Sequence, residues 1–496
     1  MAFIDITKEL LNETLTENGD KAYLSTLSPC LDFFGLVGGK RNHLNEAVAL
    51  FAKAFMDDRL TALKLLFYTR DIHEGLGERR IFRFLFNGIA VSYPNIAKEL
   101  IKYIPEYGRY DDLLCALETP IEDYVVEYIS NQLEEDMANK KEGKSISLLS
   151  KWLPSINTSS DEARYFANYI ANKLNMTKAD YRKMLSYLRK DLIIENNLRE
   201  KDYTFDYSKV PSVALNKYID AFDRNDKERF DKYIEDIKQG STTMNVAKLD
   251  VVNFIKQVKK NLNNNEVNKD YYITTWDELV KEGELDSRTI VVRDGSGSMT
   301  WSNFSNTLPI DIADALTLLT SSRLTGEFSH KFITFSSKPQ LVDLSYCRNI
   351  FDMCNKLSEF DDYTNTNIQK VYDLILKVYK SPNFKKEDAL SQILIISDME
   401  FDALISDKKN MSTFEHFKDE FEKIGYDMPE VVFWNVESCG DKLPVTQHET
   451  GVKLVSGSNK NVIDLVVNNK SIDPLDFMYK VLKKYDFIDK LDFKEE

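Results

Sequence analysis

The stretch TIVVRDGSGS, Thr289 to Ser298, runs a β-branched apolar segment straight into a turn of small, oxygen-bearing residues. A short continuous apolar run bounded by turn residues reads as a strand buried on both faces, as a parallel sheet wrapped by helices requires. Gly295 and Gly297 let the backbone turn tightly, at the carboxyl end of a strand, where open α/β sheets bind their ligands. Asp294, Ser296 and Ser298 therefore stand at a candidate ligand edge.

Working outward, similar runs recur: HKFITFSS at 330–337, QILIISD at 392–398 and EVVFWNV at 430–436. Between them LPIDIADALTLLTSSRL, NIQKVYDLILKVY and STFEHFKDEFEKIGY carry a helical period. Strands alternating with helices of this length imply a mostly parallel, Rossmann-like sheet with helices on its faces. Asp398 ends its strand as Asp294 does, and Thr364, in DDYTNTN ahead of a helix, supplies a third oxygen-bearing loop. Carboxylates and hydroxyls are hard donors suited to Mg²⁺ or Mn²⁺, with waters completing an octahedron. An Asp after a strand, or Asp-x-Ser-x-Ser in a loop, is also an ordinary helix-capping pattern, so the expectation rests on the conjunction of three loops.

Upstream of the Asn-rich stretch NLNNNEVNKD, 261–270, the period is helical nearly throughout. EAVALFAKAFMDDRLTALKLLFYTRDI, 46–72, is one long amphipathic run, and Tyr181, Met184, Leu185 and Leu188 form an apolar stripe on a helix that Thr177 can cap. The chain therefore divides into a helical module, 1–285, for which a HEAT-like arrangement is expected, and an α/β domain, 286–496. A length of 496 residues accords with more than one core.

The set Asp294, Ser296, Ser298, Thr364 and Asp398 resembles the metal-ion-dependent adhesion site of von Willebrand A domains. The resemblance implies Ser296, Ser298 and Thr364 as direct or near-direct ligands, Asp294 and Asp398 acting mainly through water, and an open position for a partner's carboxylate. In the helical part KWLPS (151–155), YRKMLSYLRK (181–190), KVPSVALNKYIDAFDRNDKERFDKYIEDIKQG (209–240) and RDIHEGLGERR (70–80) are similar to an uncharacterised family of TROVE-like proteins, and the strand end SDMEFD (397–402) resembles that family's Ro-type relatives. That family sets a helical module before a von Willebrand A domain. Its characterised relatives are Ro-type proteins, whose helical ring binds noncoding and misfolded RNA, so the resemblance implies RNA as a partner.

Composition restricts where RNA could bind. The net charge is −15, which leaves no global positive field for nucleic acid. A local excess lies between Lys151 and Lys190, where Lys151, Lys178, Arg182, Lys183, Arg189 and Lys190 are the candidate contacts, with Trp152 and Tyr187 as stacking surfaces. Lys178, Arg182 and Arg189 are expected on one helix side, off the apolar stripe; the alternative is a solvated charged face. Arg70, Arg79, Arg80 and Arg83 form a second cluster that faces phosphate or pairs with Asp71, Glu74 and Glu78.

Other chemistries lack their residues. The five cysteines are scattered without a CxxC pair, and the five histidines form no HExxH, which argues against a disulfide framework or a zinc site. GLVGGKR, 35–41, is one residue short of a phosphate loop and reads as a helix terminus or turn. The Ser296 turn is not a nucleophile elbow. The start of the sequence has no basic and apolar leader pattern, and no apolar run is long enough to span a membrane, so a cytoplasmic location is expected. The sequence reads as a nonenzymatic RNA-binding or ribonucleoprotein-assembly protein. The competing class is a protein-interaction scaffold whose metal captures an acidic side chain; a metal-dependent nuclease is disfavoured for want of a carboxylate-bridged metal pair.

Overall fold

A computed structural model describes the chain apart from residues 1–6, 8–10, 17–18, 20, 191, 193, 265–266, 286–287, 302–306, 337, 361–367, 400–412, 438–441 and 494–496, and the side chains of 413–415. A small hairpin of β1 (Glu13–Leu15) and β2 (Lys21–Tyr23) precedes the helices. The main sheet contains β3 (Thr289–Asp294), β4 (Lys331–Phe335), β5 (Leu341–Asp343), β6 (Gln392–Ser397), β7 (Glu430–Asn435) and β8 (Val452–Ser456). Its order is β5-β4-β3-β6-β7-β8, parallel except at the antiparallel edge pair β4–β5. The chain leaves β3 towards β4 on one side and later returns to β6 on the other. The crevice at the carboxyl ends of β3 and β6 is therefore the topological switch point of the sheet.

The four strand runs read from sequence are β3, β4, β6 and β7, buried at nearly every position. Helices Pro309–Arg323, Ile368–Tyr379 and Thr413–Lys423 fill the connections as their period predicts. The short edge strand β5 and the last strand β8 were not anticipated, because LVD and VKLVS are too brief, or too polar, to stand out. Lys453 is the charged residue of β8; it is fully buried and pairs with Glu430 on β7 at 2.7 Å.

The helical spacing over 46–72 belongs to two helices, Leu44–Asp57 and Arg59–Arg70. Asp58 breaks the run: its extended backbone and its carboxylate, which accepts from the Thr61 amide at 3.1 Å, start the second helix. Further helices, among them Pro29–Leu36, Glu122–Lys141, Lys178–Arg189, Ser212–Asn225, Val251–Lys260 and Lys269–Val280, make the N-terminal part almost wholly helical. No helix among the described residues is long and apolar enough to cross a membrane.

This helical part grips the α/β domain at two places. Helix Pro29–Leu36 lies against β8 and helix Pro474–Leu482, with Phe34 edge-on to Phe477 at 6.0 Å. The Gly38 amide donates to Ser456 Oγ at 3.0 Å, and a Cβ on Gly38 would sit 2.5 Å from the Ser456 carbonyl carbon, so no side chain fits there. Leu31, Phe33 and Phe34 are buried almost completely in this region, each contributing about 1.5–3 kcal/mol on burial. On the other side, helix Val251–Lys260 packs on helix Pro309–Arg323. The buried side chains of both parts form one continuous cluster.

Candidate metal turn and cationic face

β3 delivers Asp294 and β6 delivers Ser397 and Asp398 to the same edge, since Arg293 and Ile396 are register partners on adjacent parallel strands. Asp294 is fully buried. Its Oδ2 accepts from Ser397 Oγ at 2.6 Å and its Oδ1 from the Ser296 amide at 2.9 Å. Burial pushes the Asp294 carboxyl above its ordinary range, and the bonds from Ser397 and Ser296 oppose that rise. Both of its oxygens are thus engaged in shaping the turn.

Ser296 and Ser298 bring their hydroxyl oxygens to 3.1 Å of each other, Ser296 buried and Ser298 exposed. Asp398 follows Ser397 and is nearly buried. Met399 has a positive φ of 68°, with its amide held by Ser397 Oγ at 3.1 Å. Thr364 lies outside the described residues. Phe360, a described residue, comes close to the turn: a Cβ on Gly295 would stand 3.0 Å from its carbonyl oxygen. Among the described residues no group of three or more His, Cys, Asp or Glu side chains is placed to hold a metal ion. A cation here would rely on the hydroxyls of Ser296 and Ser298 with water, and a set of hard oxygens beside a buried carboxylate fits Mg²⁺ or Mn²⁺.

Beneath the turn lies a charge network that sequence reasoning missed. Arg293 Nε donates to Asp314 Oδ1 at 2.6 Å, both side chains being fully buried, and Lys259 Nζ pairs with Asp314 Oδ2. Arg293 Nη1 reaches the Phe360 carbonyl at 3.4 Å. Asp314 thus ties the strand bearing the turn to helix Val251–Lys260 of the N-terminal part. An Asp inside the apolar run of 308–324 was the available signal, since a buried carboxylate needs a partner.

The cationic candidates separate. Lys178, Arg182, Lys183 and Lys190 are exposed and make no ion pair among the described residues, and Lys151 lies over Trp152 at 5.6 Å. Tyr187 is exposed beside them. Arg189 does not share that face. Its guanidinium donates to the carbonyls of Ser150 and Leu153 and to Ser155 Oγ, so it closes the KWLPS segment onto the helix. Three bonds to otherwise unpaired oxygens outweigh solvent for an arginine at a helix end. Of the apolar stripe, Tyr181, Leu185 and Leu188 are buried and Met184 is half-buried against the core, and Thr177 caps the helix.

In the second cluster Arg70 and Arg83 pair with Asp112, and Arg83 also with Asp111, while Arg80 is exposed. The expected partner Asp71 is occupied elsewhere, by Lys484 at 3.0 Å and the Tyr485 hydroxyl at 2.9 Å. Burial pushes the thiols of Cys30, Cys115 and Cys354 up to about 12, which leaves them as packing groups.

Fold and turn together define a class: a helical module closed onto an α/β domain with an oxygen-lined turn at its switch point. The chain belongs to the family described as a domain of unknown function, DUF2828, whose profile matches residues 16–99 and 121–284. A second profile, domain of unknown function DUF7788, matches residues 288–490. The chain is similar to the uncharacterized protein L728 of Acanthamoeba polyphaga mimivirus, 28% identical over 521 residues that cover 96% of this chain and 88% of that one. Among solved structures it matches the Ro (RSR) protein of Deinococcus radiodurans with a TM-score of 0.37 and 12% identity, over 88% of this chain and 98% of that chain.

Proposed function

We propose that the chain is a nonenzymatic assembly protein in which a divalent cation, Mg²⁺ or Mn²⁺, at the 294–298 turn captures a carboxylate of a partner protein. The observation that carries this reading is the convergence of the Ser296 and Ser298 hydroxyls over a carboxylate, Asp294, whose two oxygens are already bonded. Asp294 orients the turn and supplies negative charge, and the hydroxyls contact the ion. A ligand site at the switch point of the sheet supports the same reading. Calorimetry with MnCl₂ tests it: the parent chain takes up one ion, and Ser296→Ala with Ser298→Ala loses it. Unchanged ion uptake in that double variant would exclude the turn.

RNA is the second partner in this proposal, carried by the exposed Lys178, Arg182, Lys183 and Lys190 and by the resemblance to TROVE-like proteins. Cationic side chains without carboxylate partners are what phosphate contacts use. The measurement is the 260/280 nm absorbance ratio of the purified chain before and after ribonuclease. A fall favours ribonucleoprotein assembly, and a protein-like ratio throughout favours a scaffold that binds proteins alone.

A further inference from the structure

An open furrow of about 260 Å³ runs between helices Leu44–Asp57 and Arg79–Ser92 of the N-terminal part. Its floor is apolar and buried, built from Phe51 and Phe55 of the first helix and Leu85 and Ile89 of the second. Met56, 81% exposed, and Phe84, 50% exposed, stand on the two rims. Large apolar side chains left in water along a furrow mark a surface that a partner covers. Small-molecule pockets run to about 300–1,000 Å³ and enclose their ligand, so an open furrow of this size suits the side chains of a macromolecule.

Gly88 shows that the cover comes close. It lines the furrow from the interior of helix Arg79–Ser92, where glycine weakens a helix relative to alanine. A Cβ there would meet nothing in any neighbouring element within 4 Å. Among the described residues nothing therefore requires glycine at this position, whereas a backbone approaching from outside does. Ala52 across the furrow and Ser92 one turn further along keep the same opening clear.

The two ends define the partner's charge. Arg80 stands one turn before Phe84 on the same side of its helix, and Arg59, at the other end, lies over the rings of Phe55 and Tyr93 at 5.4 and 5.6 Å. Both arginines are exposed, and neither has an ion pair among the described residues. Each sits in the first turn of a helix that has no acidic residue in that turn, where the macrodipole disfavours a cation. Asp57, also exposed, offsets part of the charge at the Arg59 end, which leaves the Arg80 end the more positive. Unpaired arginines that work against their own helices, in a chain of net charge −15, are placed for acidic groups of a partner. From Arg80 to Tyr93 the furrow is about 20 Å long, the length of roughly thirteen residues of a second helix laid along it.

We propose that this furrow docks an amphipathic helix of a partner protein, with apolar side chains over Phe51, Phe55, Leu85 and Ile89, its backbone crossing close to Gly88, and acidic residues near its two ends pairing with Arg80 and Arg59. Apolar anchors at helical spacing are how such a helix occupies a groove. The surface shares no residue with the metal turn or with the Lys178–Lys190 face and rests on neither reading.

The test is fluorescence anisotropy of the full chain with a labelled, end-capped, alanine-based peptide of about fifteen residues, bearing leucines at helical spacing along one side and a glutamate near each end. Saturable binding is expected, about tenfold tighter than for the same peptide with lysines in place of the glutamates, with the difference shrinking as salt screens the arginines. A proline at the centre of the peptide should abolish binding, because it breaks the helix. Arg59→Glu combined with Arg80→Glu should invert the preference, and glutamate suits both helix N-termini, so that protein stays folded. Gly88→Leu should weaken binding about tenfold while melting at the parent's temperature or above, since the new side chain enters open space and the helix loses its glycine. Absence of saturable binding, equal affinity for the two peptides, tolerance of the central proline, or a preference unchanged by the double reversal would overturn the proposal. Full binding by Gly88→Leu, or a lowered melting temperature in it, would do the same, the latter by showing that the chain itself fills the space. So would capture by phosphatidylserine-containing vesicles with the peptide ignored, which would assign the patch to a lipid surface.

Discussion

Ser397 and Asp294 face each other across the central parallel strand pair, the serine hydroxyl donating to Oδ2 at 2.6 Å. The bond joins β6 to β3 at the point where the sheet reverses its order. Ser397 therefore holds the carboxylate that underlies the turn without needing to touch a cation itself. Replacing a group that orients a metal site through another residue costs about 10–100-fold in metal affinity. Ser397→Ala is expected to weaken Mn²⁺ binding by about tenfold, measured by calorimetry, with the fold retained by circular dichroism.

The Arg293–Asp314–Lys259 network predicts an asymmetric response to substitution. Removing one partner of a buried pair costs about 3–5 kcal/mol, because the remaining charge stays buried. Asp314→Ala strands Arg293, which is fully buried, and should lower the urea midpoint accordingly. Lys259→Met leaves the Arg293 bond in place and should cost less than half as much. Equal losses in the two variants would contradict this division.

Arg189 and its neighbours should behave oppositely. Lys178→Glu, Arg182→Glu and Lys183→Glu together alter an exposed face, so the protein should stay folded while any RNA affinity loses salt slope by about 0.7 per contact, about 2 in all. Arg189→Ala removes three hydrogen bonds to the 150–155 segment and should cost stability, roughly 2 kcal/mol, with little change in salt slope. Salt-dependent binding and urea titration separate the two effects.

His73 gives a pH dependence. Its ring accepts Lys248 Nζ at 2.6 Å through Nδ1, and that ammonium also reaches the Ile72 carbonyl at 3.0 Å. Burial, with the charge of Lys248, holds the His73 pKa below its ordinary 6.5. The unfolded chain therefore takes up a proton first as pH falls. The contribution of this contact is fully present above pH 6.5 and is lost as pH drops through the lowered value. Urea midpoints between pH 8 and 5 should fall more steeply in the parent than in His73→Gln.

Much of the α/β half is legible because its strands are continuous apolar runs and its loops end them with Asp. Asp294 and Asp398 could be placed at one edge from that pattern alone, and β3 and β6 are indeed neighbours. The rest depended on contacts between distant segments. Helical spacing put Arg189 outside the apolar stripe, yet spacing carries no information about the open carbonyls of Ser150 and Leu153, which draw it inward.

The contact between Gly38 and Ser456 spans 418 residues of chain. At a synthesis rate of about 5–20 residues per second, helix Pro29–Leu36 waits roughly 20–80 s before the strand it covers exists. Throughout that interval the ring of Phe34 lacks Phe477, and the close approach of Gly38 lacks Ser456. Maturation of this protein is therefore a late, long-range closure, and a nascent chain that stalls before residue 456 presents a surface for which chaperones and aggregation compete.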